Sequence, residues 1–170
     1  MAELRRITTE FIDIEDRIRL AGEVAPGQTV VLWLTQRLLG RLLPHLVGWL
    51  EQQTGNDVRG EILQGFAQQA AMAALEPQAP VPGQPHDRGW LVHSVDIATG
   101  RDGLRLTFKT GAPGESGEPV SLTLQAQPLR QWLNILYDQY RKSEWPQAPW
   151  PAWLTEARPP QAARPTALLH

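Results

Sequence analysis

Residues 29–52, TVVLWLTQRLLGRLLPHLVGWLEQ, constrain the fold more than any other stretch of the chain. Val30, Val31, Leu32, Trp33 and Leu34 are apolar on both faces, the pattern of a central strand covered on both sides. After Thr35, a good helix N-cap, Leu39, Leu42, Leu43, Leu46 and Leu50 recur at helical spacing. Pro44 falls inside that pattern, where a kink or a restart is expected.

A second stretch of the same kind spans residues 120–140. Val120, Leu122 and Leu124 match Val30, Leu32 and Leu34, and Leu129, Trp132, Leu133, Leu136 and Tyr140 match the five helical leucines. The match extends upstream: Ile12-Asp13-Ile14 aligns with Val95-Asp96-Ile97, Ile18-Arg19-Leu20 with Leu104-Arg105-Leu106, and Ala25-Pro26-Gly27 with Ala112-Pro113-Gly114. Each half reads as two period-2 strands, a third strand and a helix. One difference separates them: Val31 and Trp33 become Ser121 and Thr123, so one face of the later strand should meet solvent or a partner.

Between the halves, Thr54-Gly55-Asn56-Asp57 closes one helix and caps the next. That second helix carries Val58, Ile62, Phe66, Ala70 and Ala73 on one stripe, expected to pack against the sheet. Pro77, Pro80, Pro82 and Pro85 then mark an extended linker. The expected fold is α+β: an antiparallel sheet or sandwich from two strand-strand-strand-helix repeats, with a helical hairpin between them. Residues 1–142 form one domain, with pseudo-repeats at 5–52 and 90–142, a hairpin helix at 57–75 and a linker at 76–89. Residues 143–170 form a Pro/Trp-rich tail.

Composition narrows the function. A net charge of −2 over 170 residues offers no field for nucleic acid or acidic membrane. No apolar segment is long enough to span a bilayer, and the N-terminus lacks a signal-peptide core. Cysteine is absent, which removes disulfides, thiolate nucleophiles and Cys-ligated zinc and fits a reducing cytoplasm. The preference for arginine over lysine, with abundant Ala, Pro and Gln, suits GC-rich bacterial coding.

Residues able to do chemistry are few and scattered. No metal-ligand spacing, nucleophile elbow or phosphate loop is present, so no catalytic residue, metal or cofactor is expected. Gly111 to Gly117 lacks the Lys-Ser/Thr ending of a phosphate loop and reads as a hairpin loop. His45, His86 and His170 lie at a kink, in the linker and at the terminus. His93, placed by alternation on the apolar face of its strand, reads first as a core or edge histidine. Asp13, Glu15 and Asp16 are ordinary turn residues. A ligand or enzymatic site between the halves would use Asp13, His93 and Asp96, with the two aspartates approaching across a pseudo-two-fold axis. The helical hairpin, with Arg59, Gln64, Gln68 and Gln69, gives a weaker nucleic-acid reading.

The tail is the most unusual segment. Trp145, Trp150 and Trp153 alternate with prolines, and serve as anchors to the chain itself or to a partner. The order of elements over roughly residues 5–140 resembles the head domains of eukaryotic DNA end-joining scaffolds and centriolar cartwheel proteins. Those families continue into a coiled-coil stalk, whereas here the last helix meets Pro146. The first expectation is a non-enzymatic interaction or assembly module, partnered by another protein or by itself.

Overall fold

The computed structural model describes residues 1–55, 57–83, 89–111 and 117–157. Asn56, Pro85, His86, the repeat match at Ala112-Pro113-Gly114 and His170 lie outside them. Strands β1 (Ala2–Glu3), β2 (Arg6–Ile12), β3 (Arg17–Ala25) and β4 (Gln28–Leu34) precede helices α1 (Gln36–Glu51) and α2 (Val58–Ala73). Strands β5 (Trp90–Thr99), β6 (Gly103–Thr110) and β7 (Val120–Gln125) follow, then α3 (Ala126–Ser143) and the single turn α4 (Ala152–Thr155).

Local chemistry accounts for several of these boundaries. The Thr35 hydroxyl accepts from Leu38 N–H at 3.1 Å, and the Asp57 carboxylate accepts from Gly60 N–H at 2.8 Å, capping α1 and α2. Pro26-Gly27 turns β3 into β4, with Gly27 at φ 75°. Helix α1 runs through Pro44 as one element. Pro44 is exposed, while Leu39, Leu42, Leu43, Leu46 and Leu50 anchor both halves in the core.

The sheet is mixed, not purely antiparallel. Its order is β1-β7-β6-β5-β4-β3-β2, with parallel pairs at β4–β5 and β1–β7. At the first junction Leu32 faces Trp90 and Trp33 faces Leu91; at the second Ala2 faces Val120 and Glu3 faces Ser121. The sheet curls until its ends meet through one run of chain. Leu4 N–H donates to the Ser121 carbonyl and Arg5 N–H to the Glu23 carbonyl of β3, both at 2.8 Å. Each three-stranded meander therefore lends its first strand region to the third strand of the other. Beyond Arg5 the second junction splays, and α3 packs against both β2 and β7.

One apolar core joins sheet and helices, including Ile18, Leu20, Leu32, Leu34, Leu104, Leu106, Phe108, Leu122 and Leu124. Helix α3 is buried on most of its circumference, and its polar groups serve the splayed edge. Phe11 N–H donates to Gln139 Oε1 at 2.9 Å, and Trp132 Nε1–H donates to the Thr9 hydroxyl at 3.0 Å. The outer faces of the meanders differ. Val31 and Trp33 are covered by the strap after α2, where Val81 is buried. Val81 N–H donates to the Thr8 hydroxyl at 2.8 Å, and Arg6 donates to the Ala79 carbonyl at 2.9 Å. Ser121 and Thr123 instead donate to the Glu3 carboxylate, so that polar face holds the N-terminal strand. No helix among the described residues is long and apolar enough to cross a membrane.

Leu4, the residue between the two amide bonds of the second junction, lies over Gly22. A Cβ at Gly22 would stand 2.2 Å from Leu4 Cδ2. Gly22→Ala must therefore displace a buried side chain. It is expected to destabilise the chain by about 1–3 kcal/mol in urea unfolding, and a variant as stable as the parent would show that the junction tolerates loss of this contact.

Candidate interaction surface

The residues singled out as a site between the halves are not brought together. Asp13 is exposed in the 3-10 turn Asp13–Glu15 after β2, while His93 and Asp96 are on β5, with β3 and β4 intervening in the sheet. Asp96 pairs with Lys109 at 2.6 Å on the surface. His93 does not share the apolar face, contrary to simple alternation. The β5–β6 register shifts between Val92 and Ser94, a β-bulge that turns Val92 into the core and leaves His93 exposed. Asp16 has a structural partner: its carboxylate accepts from Trp145 Nε1–H at 3.0 Å. Among the described residues no His/Cys/Asp/Glu group could hold a metal ion.

The tail tryptophans lie in the chain's own core. Trp145, Trp150 and Trp153 are 6%, 7% and 8% exposed. Trp145 meets Phe11 and Tyr140 edge-on, at 5.5 and 5.1 Å between centroids. Trp150 meets Tyr140 at 5.2 Å and Tyr137 at 5.3 Å. Burial of Tyr140 pushes its hydroxyl pKa up to about 12. The segment thus folds back over α3 and the β2–β3 hairpin.

Helix α2 carries the reversal of most consequence. Its inner face is Gly60, Gln64, Gln68 and Ala71, all buried. The expected inward stripe points outward: Val58, Ile62 and Phe66 are 73%, 54% and 64% exposed, and Leu63, Ala70 and Ala73 beside them are exposed too. The polar chemistry at the helix junction explains the orientation. Gln64 Nε2 donates to the Leu50 carbonyl at 2.6 Å and to the Thr54 hydroxyl at 2.8 Å. Gln64 Oε1 accepts from Arg130 Nη2 at 2.6 Å, and Gln68 Nε2 donates to the Arg130 carbonyl at 2.9 Å. The Arg130 guanidinium also lies 5.5 Å from the Trp153 ring. Desolvation lowers its pKa to about 10, so it remains a cation at neutral pH. Burying that cation requires acceptors, and Gln64 provides one from α2. The apolar side of α2 is left outside.

A groove of about 760 Å³ opens beside the second junction, between the N-terminal strand, the strap after α2 and the start of α3. Arg5, Thr8, Pro77, Gln131 and Trp132 are among its lining residues. Several of the polar groups there are already engaged: Gln131 donates to the Ala71 carbonyl and Thr8 accepts from Val81. Comparison with family models, curated proteins and solved structures gives no match for this chain. The similarity to end-joining and cartwheel head domains rests on element order alone.

Glu3 is a titratable group of the junction beside the groove. Burial, the largest single effect, raises its pKa, but hydrogen bonds from Ser121, Thr123 and Arg105 and the charge of Arg105 together bring it below the ordinary glutamate value. A carboxylate with a lowered folded-state pKa contributes stability above its unfolded pKa and loses it as pH falls through the folded value. The urea midpoint should therefore exceed that of Glu3→Gln at neutral pH, and the two should converge below the ordinary glutamate range. A pH-independent difference would show that the charge of Glu3 plays no part.

Proposed function

We propose that this protein is a non-enzymatic interaction or assembly module that works in a reducing cytoplasm and makes contact through the outward face of α2. The observation carrying the proposal is the exposed stripe of Val58, Ile62, Leu63 and Phe66 on a helix whose glutamines face inward. An apolar side chain of this size left in water forgoes about 1.5–3 kcal/mol of burial, and contiguous exposed apolar surface on a folded chain marks a contact site. Scattered, exposed positions for Asp13, His93 and Asp96 favour this reading over a catalytic one. We also read the two strand-strand-strand-helix segments as copies of one unit. Reciprocal parallel pairing of their first and third strand regions supports that view.

The groove favours a second reading, a small-ligand site between the two units, because its apolar walls carry polar groups from both sides. An amphipathic ligand there would shift the indole N–H resonance of Trp132. A fragment screen that leaves that resonance unmoved would dispose of this reading.

For the interaction reading, the test is the double variant Ile62→Asp/Phe66→Asp. Both positions are exposed, so the unfolding free energy should stay within about 0.5 kcal/mol of the parent. Association, read by size exclusion with light scattering or by capture on the immobilised chain, should be lost. Trp150→Ala should behave oppositely, destabilising the fold by about 3–5 kcal/mol. Association that survives the double variant would refute the assignment of α2 as the contact.

A further inference from the structure

We infer that the outward face of α2 is an isologous contact between two copies of this chain, packed antiparallel about a two-fold axis at Phe66. The inference rests on the reading of α2 as the contact surface and adds its occupant.

Side-chain size along the stripe supplies the first argument. The large residues Val58, Ile62 and Leu63 occupy the N-terminal half, Phe66 the middle, and the small residues Ala70, Ala73 and Ala74 the C-terminal half, all exposed. An isologous contact sets residue i against j and j against i. Reversing the helix about Phe66 places Ile62 against the partner's Ala70 and Val58 against the partner's Ala74. At these two steps large meets small, as close packing of two surfaces requires, while Phe66 meets its own copy on the axis and Leu63 faces the exposed Gln69 at the flank. A parallel pairing would set Ile62 on the partner's Ile62 and leave alanine facing alanine across a gap.

Charge supplies the second. On a helical wheel, Arg59 is the one charged residue of α2 that falls within the stripe, since Asp57 caps the helix and Glu61 lies towards the opposite side. The antiparallel arrangement brings Arg59 to the C-terminal end of the partner's helix. There the last carbonyls carry the negative end of the helix dipole, and the partner's exposed Glu76 follows two residues after its C-cap Ala74, supplying a second negative group at the same end. A parallel arrangement would oppose Arg59 to the partner's Arg59. Helix α2 has 16 residues, about 24 Å. One such helix pair buries less than the roughly 800 Å² per partner of a standard stable interface, so the dimer is expected to depend on concentration.

The chain has no cysteine, so an introduced thiol is unique. Under mild oxidation, Phe66→Cys, on the axis, should yield a covalent dimer. Ile62→Cys alone should not, because the two copies of position 62 stand about 12 Å apart along the helices, beyond the ~5.5–6 Å Cα separation of a disulfide. Ile62→Cys mixed with Ala70→Cys should give the mixed dimer. By light scattering, Arg59→Glu and Glu76→Arg should each weaken the dimer by about fivefold, and the double exchange should restore it.

Self-linking of Ile62→Cys without linking of Phe66→Cys would overturn the inference in favour of a parallel or different contact. A parent chain that stays monomeric at every concentration would also overturn it. If Phe66→Asp then abolished capture of a different protein, the interaction reading would survive with another occupant. If the parent dimerised and Phe66→Asp left that dimer intact, both would fall.

Discussion

Two consecutive backbone amides, those of Leu4 and Arg5, donate to β7 and β3, each one strand in from an opposite end of the sheet order. The rest of the architecture follows from that division. A strand that serves two partners must leave one to reach the other, and Leu4 makes the passage by settling over Gly22, where a Cβ would push its side chain aside. The free end of β7 is thereby paired and the free end of β2 splayed. A splayed strand leaves unpaired N–H and C=O groups that require partners. Helix α3 fills the opening: its Gln139 accepts from the Phe11 backbone N–H, and its Trp132 donates to the Thr9 side-chain hydroxyl. The curl therefore closes by hydrogen bonds at one end and by a helix at the other.

Filling that opening has a cost at the helix start. Arg130 lies in the early turns of α3, where the helix dipole already disfavours a cation, and it is buried. Two contacts compensate from elements far away in sequence: the Gln64 amide oxygen and the Trp153 ring. The same Gln64 donates to the end of α1. One glutamine thus links three helices, and a leucine in its place would leave the guanidinium and the Leu50 carbonyl without these bonds. This polar demand, and not hydrophobic periodicity, orients α2. The apolar stripe is exposed because the other face is needed inside.

Much of the fold is legible in the chain. The doubly apolar β4, the leucine stripe of α1, the alternation in β6, and the caps Thr35 and Asp57 all report local physics that the structure obeys, whereas in β7 Ser121 is buried under the N-terminal strand. Three features are not legible. Parallel pairing at Ala2–Glu3 involves too few residues to leave a pattern, and its partner is more than a hundred positions away. The bulge at His93 shifts the phase of β5 without a glycine or proline to announce it. Periodicity shows that α2 has two faces but not which one turns inward. That choice depends on Arg130, a residue of another helix.

The candidate surface can be understood from the same limits. Helix α2 follows α1, whereas α3 is followed by the tryptophan segment, so the two strand-helix segments carry different additions. Those additions meet: α4 packs against α2, and Trp153 completes the surroundings of Arg130 beneath it. Of the tail tryptophans, read from the sequence as anchors to the chain itself or to a partner, Trp153 completes the support on which α2 rests, and Trp145 and Trp150 pack on Phe11, Tyr137 and Tyr140. Phe66, Ile62 and Val58 look like core in the sequence and lie outside. The inner face of α2 is held by hydrogen bonds to α1 and α3, so its outer face is fixed in position before any partner arrives. A rigid apolar face loses little conformational freedom on association, which is the condition under which a small contact can still bind.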